Sequence, residues 1–156
     1  TRLSSFGCFT KEKSNPKRNS RNSGSAKFSI KAPATCMHGK SIKIKVSFTQ
    51  SVGARNGFEM TAVDADGNRV GTFQKIGTTT QVIIPQDSRG LQSQDAGKYI
   101  EQTITGTTKK SWSVKWKAPA GAKNPITFYA SGVDADGNGY FDNDYVYTAT
   151  ANITVK

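Results

Sequence analysis

The chain has no apolar run near eighteen residues, so no segment reads as a membrane-crossing helix. Its first residues are polar and lack the charged-then-apolar order of a signal peptide, and it opens at Thr1 rather than methionine, as a processed form does once an export signal is removed. Histidine is nearly absent. His38 is the only one, which leaves no multi-histidine metal site, and no His–Asp catalytic pair is expected. His38 reads as a surface turn residue, with an axial ligand to a partner's haem as the alternative.

Cysteine is almost as scarce. Cys8 and Cys36 are far apart and in no metal-ligand spacing, so they are candidates either for one disulfide pinning the N-terminal stretch to the body of an exported protein or for two free thiols. The residues before Cys8 lack the aliphatic position of a lipobox, and lipid attachment is not expected. No glycine-rich loop leads into a helix, so nucleotide binding has no support. Glu59, Asp87, Asp95 and Glu101 are scattered carboxylates, and nothing places two of them across a cleft. Without a recognisable acid, base and nucleophile set, an enzyme is not expected.

Negative charge is also in short supply. Lys and Arg number 22 against 11 Asp and Glu, a formal +11, which favours anionic partners. Residues 1–25 carry Arg2, Lys11, Lys13, Lys17, Arg18 and Arg21 against Glu12 alone, six minus one or +5, and +6 remains for the body. From Phe9 to Ser25 there is almost nothing apolar to offset ordering entropy, so residues 1–25 read as a basic arm, extended or ordered by a partner. Nucleic acid would use the same arm, but no exposed aromatic platform accompanies it, and it is not expected as the partner.

From Ala26 onward the sequence keeps a period of two. In SIKIKVSF, Ile42, Ile44, Val46 and Phe48 share one face while Lys43 and Lys45 point the other way. In SWSVKWK, Trp112, Val114 and Trp116 alternate with Ser113, Lys115 and Lys117, and the tryptophans read as core. The final run places Tyr145, Tyr147, Ala149, Ala151, Ile153 and Val155 on one face. Further strands are expected over 26–31, 57–63, 69–74, 80–85, 97–104 and 125–133, and no segment sustains a helical period. About eight or nine strands separated by turn signals predict an all-β fold, an antiparallel Ig-like β-sandwich over residues 26–156.

The hexapeptide VDADGN occurs twice, at Val63–Asn68 and Val133–Asn138. Asp-Gly and Gly-Asn pairs accept the positive φ of tight turns, so both copies read first as hairpin tips. Six of the eleven acids nevertheless lie in or beside them: Asp64, Asp66, Asp134, Asp136, Asp142 and Asp144. Charges so close repel unless a cation or basic side chains intervene. In the second copy Asp134, Asp136, Asn138 and Asp142 have the spacing of positions 1, 3, 5 and 9 of a calcium loop, but position 12 is Tyr145 instead of a bidentate glutamate. A plain acidic hairpin is the first reading and a calcium site the second.

Four stretches together resemble the reeler-like β-sandwich family, above all its bacterial branch of exported, surface-anchored proteins. They are HGKSIKIKV (His38–Val46), GFEMTAVDADGNRVGTF (Gly57–Phe73), SWSVKWKAP (Ser111–Pro119) and ITFYASGVDADGNG (Ile126–Gly139). The resemblance implies an Ig-like sandwich, export to the periplasm, cell surface or exterior, and a non-catalytic role in adhesion, recognition or assembly. Bacterial relatives often attach haem through Cys-x-x-Cys-His, which this chain lacks. Where relatives carry Thr-His-Thr before the tryptophan strand, it reads Glu101-Gln102-Thr103, and His38 replaces the proline of the first motif.

The expected function is a binding or structural subunit. The basic arm, with Lys43 and Lys45 on a strand face, would dock on an acidic protein or multi-subunit assembly, an anionic glycan or a membrane surface. No cofactor is expected, calcium excepted. The rival readings are a calcium-dependent adhesion module and, by analogy with the haem-linked relatives, an accessory subunit of a membrane or extracellular electron-transfer assembly.

Overall fold

The computed structural model describes residues 20–87, 90–140 and 143–156. Among them ten strands form two sheets: β1 Lys27–Lys31, β2 Thr35–Cys36, β3 Ser41–Thr49, β4 Arg55–Val63, β5 Thr72–Lys75, β6 Thr80–Val82, β7 Tyr99–Gln102, β8 Ser111–Lys117, β9 Ile126–Ala135 and β10 Tyr145–Val155. One sheet has the order β1-β3-β8-β5 and the other β2-β10-β9-β4-β7-β6. All pairings are antiparallel except β2 with β10. The described residues contain no α-helix, only three short 3₁₀ turns. This is the all-β sandwich that the alternating pattern predicts.

The period of two builds the core directly. Ile44, Val46 and Phe48 of β3 and Trp112, Val114 and Trp116 of β8 are buried, and the register sets Ile44 opposite Val114 and Val46 opposite Trp112. The second sheet supplies Phe58, Met60, Phe128, Tyr147 and Ile153. Rings interlock between the layers. Phe58 lies 4.9 Å from Trp112 and Phe128 meets Trp116 edge-on at 5.1 Å between ring centroids. Each indole N–H donates to a backbone carbonyl, Trp112 to Gly106 at 3.0 Å and Trp116 to Val70 at 3.1 Å, so neither polar atom is stranded.

Two glycines make room for these rings. Gly132 faces inward on β9, where a Cβ would sit 2.7 Å from Phe48 and 2.8 Å from Phe28, the two rings stacked at 4.6 Å. Gly71 has φ +72°, and a Cβ there would lie 2.3 Å from the Trp116 indole. The turn before β5 therefore needs glycine both for its backbone and for the ring pressed against it.

Three features differ from the sequence expectation. Contacts with the sandwich are made by described residues before Ala26: Asn22 donates its N–H to Val146 O at 2.8 Å, and its side-chain oxygen accepts from Thr148 N at 3.0 Å. The two-residue β2 has no alternation to read, because it is held by backbone pairing to Thr154 and Val155. β9 runs through Asp134 and Ala135, past the expected end at 133, because Asp134 finds buried partners described below.

Gly71→Ala combines left-handed strain with a ring clash. We expect it to destabilise the fold by about 2–4 kcal/mol, lowering the melting temperature measured by circular dichroism.

Candidate functional site

The outer face of the four-stranded sheet is uniform in charge. Its strands KFSIK, SIKIKVSFT, TFQK and SWSVKWK contain no acid. Lys27, Lys31, Lys43, Lys45, Lys115 and Lys117 are all exposed there. Register decides their arrangement. Lys31 sits directly opposite Lys45, Lys43 directly opposite Lys115, and Lys117 opposite Ser41. The lysines thus form a staircase, Lys27 and Lys31 on β1, Lys45 and Lys43 on β3, Lys115 and Lys117 on β8. With strands ~4.8 Å apart and ~6.8 Å per two residues, the band runs roughly 28 Å diagonally across the sheet. Ser29, Ser47, Ser111 and Ser113 flank one side of it, and Ser41, Thr72 and Gln74 the other.

Lys43, Lys45, Lys115 and Lys117 were legible as outward from their alternation, whereas which of them are neighbours, and the place of Lys31 beside Lys45, depend on strand pairing. Arg21 joins none of them. It lines the outer face of the opposite, six-stranded sheet. Arg2, Lys11, Lys13, Lys17 and Arg18 lie outside the described residues.

The two VDADGN copies fold differently. In the first, Asp64 closes a tight turn: its Oδ1 accepts from Asp66 N and Asn68 N, both at 3.0 Å, and Gly67 N donates to Asp64 O. Asp66 forms an ion pair with Lys123, so a lysine supplies the positive charge at that tip. In the second copy the equivalent residue, Asp134, is a strand residue and is buried. Its Oδ1 accepts from Ser51 Oγ at 2.7 Å, Asn56 Nδ2 at 2.8 Å and Gly53 N at 3.0 Å, tying the β3–β4 loop to β9. The turn moves two residues on, where Asp136 Oδ1 accepts from Asn138 N at 3.0 Å and Asn138 Oδ1 from Tyr140 N at 2.7 Å. Of the four proposed calcium ligands, Asp134 thus spends this oxygen on protein donors, and Asp142 lies outside the described residues. No group of three or more His, Cys, Asp or Glu among the described residues is arranged to hold a metal.

Asp95 is a buried acid with a defined task. It accepts from Gln92 N at 2.9 Å and pairs with Arg69 at 3.1 Å, and Arg69 in turn lies 5.6 Å over the Tyr99 ring. The Gln92 N–H, aided by Arg69 and Lys98 and opposed by burial, holds its carboxyl below the usual aspartate range. Glu59 and Glu101 are direct cross-strand neighbours on β4 and β7, on one face of the sheet. Gln102, in the place of the relatives' histidine, accepts from Phe58 N at 2.6 Å. Cys36 is buried, and its thiol lies within 3.4 Å of two acceptors, Met37 O and Lys40 O; burial raises its pKa. Cys8 lies outside the described residues. His38 is exposed, with Nδ1 3.3 Å from Pro119 O.

A family model, Reeler domain, matches residues 8–152. The match starts at Cys8, inside the stretch that composition sets apart as an arm. Comparison with curated protein sequences returns no match.

Asp95 generates a pH prediction. Its folded pKa is depressed, so its contribution is complete above about 3.8, the ordinary value, and is lost as pH falls through the lower folded value. The melting-temperature difference between the native protein and Asp95→Asn should be largest near neutrality and shrink toward zero below that window. Because Asp134 is held by protein donors, a chelator should leave the melting temperature unchanged; a fall of several degrees restored by calcium would reinstate the metal.

Proposed function

The chain belongs to the Reeler domain family, and on that premise we propose that it is an exported, non-catalytic binding module that docks an extended anionic glycan chain along the lysine band of its four-stranded sheet. Reeler domains are typically extracellular, and no helix among the described residues is long and apolar enough to cross a membrane. Export to the periplasm, the cell surface or the exterior, as in the bacterial branch, belongs to the same reading.

The observation that carries it is the staircase itself: six lysines, no acid, and directly opposed like-charge pairs at Lys31–Lys45 and Lys43–Lys115. Such pairs destabilise a sheet, by roughly 0.2–1 kcal/mol each, and an anion laid along them removes the cost. The chemistry of the band narrows the partner. Lysine is a point charge on a flexible stem, suited to charges distributed along a chain, and the serines and threonine beside it donate to sulfate, carboxylate or sugar oxygens. The face has no apolar anchor of the kind that organises protein–protein interfaces, where lysine is depleted. It has no aromatic platform on which bases could stack.

The basic arm contributes a second, sequence-level attraction in this reading. The band is complete without it, and Arg21, next to the first described residue, lines the other sheet.

Binding of polygalacturonate or dextran sulfate is expected to be saturable, to weaken steeply with salt and to be absent with neutral dextran. The variant carrying Lys31→Gln, Lys43→Gln, Lys45→Gln and Lys115→Gln should bind at least tenfold more weakly, yet melt at a higher temperature because two repulsive pairs are gone. Deleting residues 1–19 should cost less affinity than this variant. Unchanged affinity in the lysine variant would defeat the reading; stronger binding to anionic vesicles or single-stranded DNA than to either polyanion would reassign the partner.

A further inference from the structure

The outer face of the six-stranded sheet carries a second candidate site, unrelated to the lysine band. An open groove of about 620 Å³, within the usual size range for a small-ligand site, lies across β7, β4, β9 and β10. Strand pairing arranges its lining in rows. Tyr99, Thr61, Tyr129 and Thr150 stand directly opposite one another in turn across the four strands. In the next row, two residues along each strand, Glu59 is followed by Ser131 and Thr148. Tyr129 is 49% exposed although β9 lies inside the sheet, between β4 and β10. The two tyrosines are two strand spacings apart, roughly 10 Å at the backbone.

Tyr99 is held in place by a residue that is not among those lining the groove. Arg69 lies over its ring and is itself fixed by Asp95, which is anchored to the Gln92 N–H. This support orders one aromatic surface before any ligand arrives, and an ordered surface costs less entropy to bind. Neither tyrosine belongs to the aromatic seam of the core, and the fold alone does not require two rings in one row on the solvent side.

The chemistry of the two rows selects a ligand class. Among the described lining residues the charged groups are Glu59 and Arg21, one of each sign, so they give the groove no net charge to attract a phosphate or carboxylate ligand. A peptide strand adds to sheets at an open edge, whereas β4 and β9, the central floor of the groove, are paired on both sides. A hydroxylated ring with an apolar face fits both features: its C–H face stacks on tyrosine, and its hydroxyls meet the carboxylate and hydroxyl row. We propose that this groove binds a neutral oligosaccharide, two of whose rings stack on Tyr99 and Tyr129 while Glu59, Ser131 and Thr150 take its hydroxyls. The separation of the rings favours an extended β-linked chain, in which every second sugar presents the same face.

The test is calorimetric titration of the full chain with cellohexaose, xylohexaose and chitohexaose. At least one should bind saturably with little salt dependence. Tyr129→Ala should weaken that binding at least tenfold, and Tyr129→Phe should retain most of it, since stacking needs the ring and not the hydroxyl. Thr150→Arg, at an exposed position, fills the groove and should also abolish binding, which guards against a fold effect at position 129. The four-lysine variant should bind the oligosaccharide like the native protein, so failure of the polyanion reading and failure of this one are separable. Binding of none of the three sugars, or equal binding by the native protein, Tyr129→Ala and Thr150→Arg, overturns the proposal.

Discussion

The alignment of β8 between β3 and β5, with Trp112 and Trp116 turned inward, is the constraint on which both faces of the molecule depend. A strand that buries every second residue leaves its other residues no choice of side, and a slip of one position would exchange the two sets. Because Ile44 must meet Val114 and Val46 must meet Trp112, Lys43 must meet Lys115. The tryptophan packing therefore dictates which surface charges become neighbours. The same holds across the core, where Phe58, Met60 and Phe128 inward force Glu59 and Tyr129 outward.

The two sheets divide the charge between them. The strands of the four-stranded sheet carry lysines and no acid, while those of the six-stranded sheet carry Glu59, Glu101 and Asp134 with Arg55 as their one cation. A net charge of +11 spread evenly would give a weak attraction for any anion. Six of the sixteen lysines instead lie along one diagonal of the four-stranded sheet, and charge so placed has a direction. The opposite face, with few charges and two tyrosines, suits a ligand that lacks them.

How far the sequence could be read depended on whether a feature was local. Alternation identified nearly every strand, the inward tryptophans and the outward Lys43 and Lys45, because a period of two is visible in a single segment. Strand neighbours are not: β8 lies beside β3 and β5, and β9 beside β4, across long stretches of chain. Lys31, Lys115 and Lys117, and the row joining Tyr99 to Tyr129, could not be assembled without those pairings. The two VDADGN copies show the limit most plainly. The same six letters close a turn at Asp64 but extend a strand at Asp134, because Ser51, Gly53 and Asn56 offer the second aspartate three donors. Those donors come from the β3–β4 loop and the start of β4, some eighty positions away, and no reading of the hexapeptide reveals them.

Magnitudes explain why this core can carry an unfavourable surface. Two opposed lysine pairs cost roughly 0.4–2 kcal/mol together. Truncating a single buried tryptophan costs about 3–5 kcal/mol, and this interior holds two, each with its N–H satisfied. The repulsion is thus smaller than the contribution of either ring and sits on the face directly behind them, where the backbone register is most firmly determined. A face so supported keeps its lysine-bearing positions in fixed register with no ligand present, and under the proposed function that register is what a polyanion would meet. On that proposal, the backbone rigidity built for packing becomes preorganisation for binding, with no side chain asked to serve both ends.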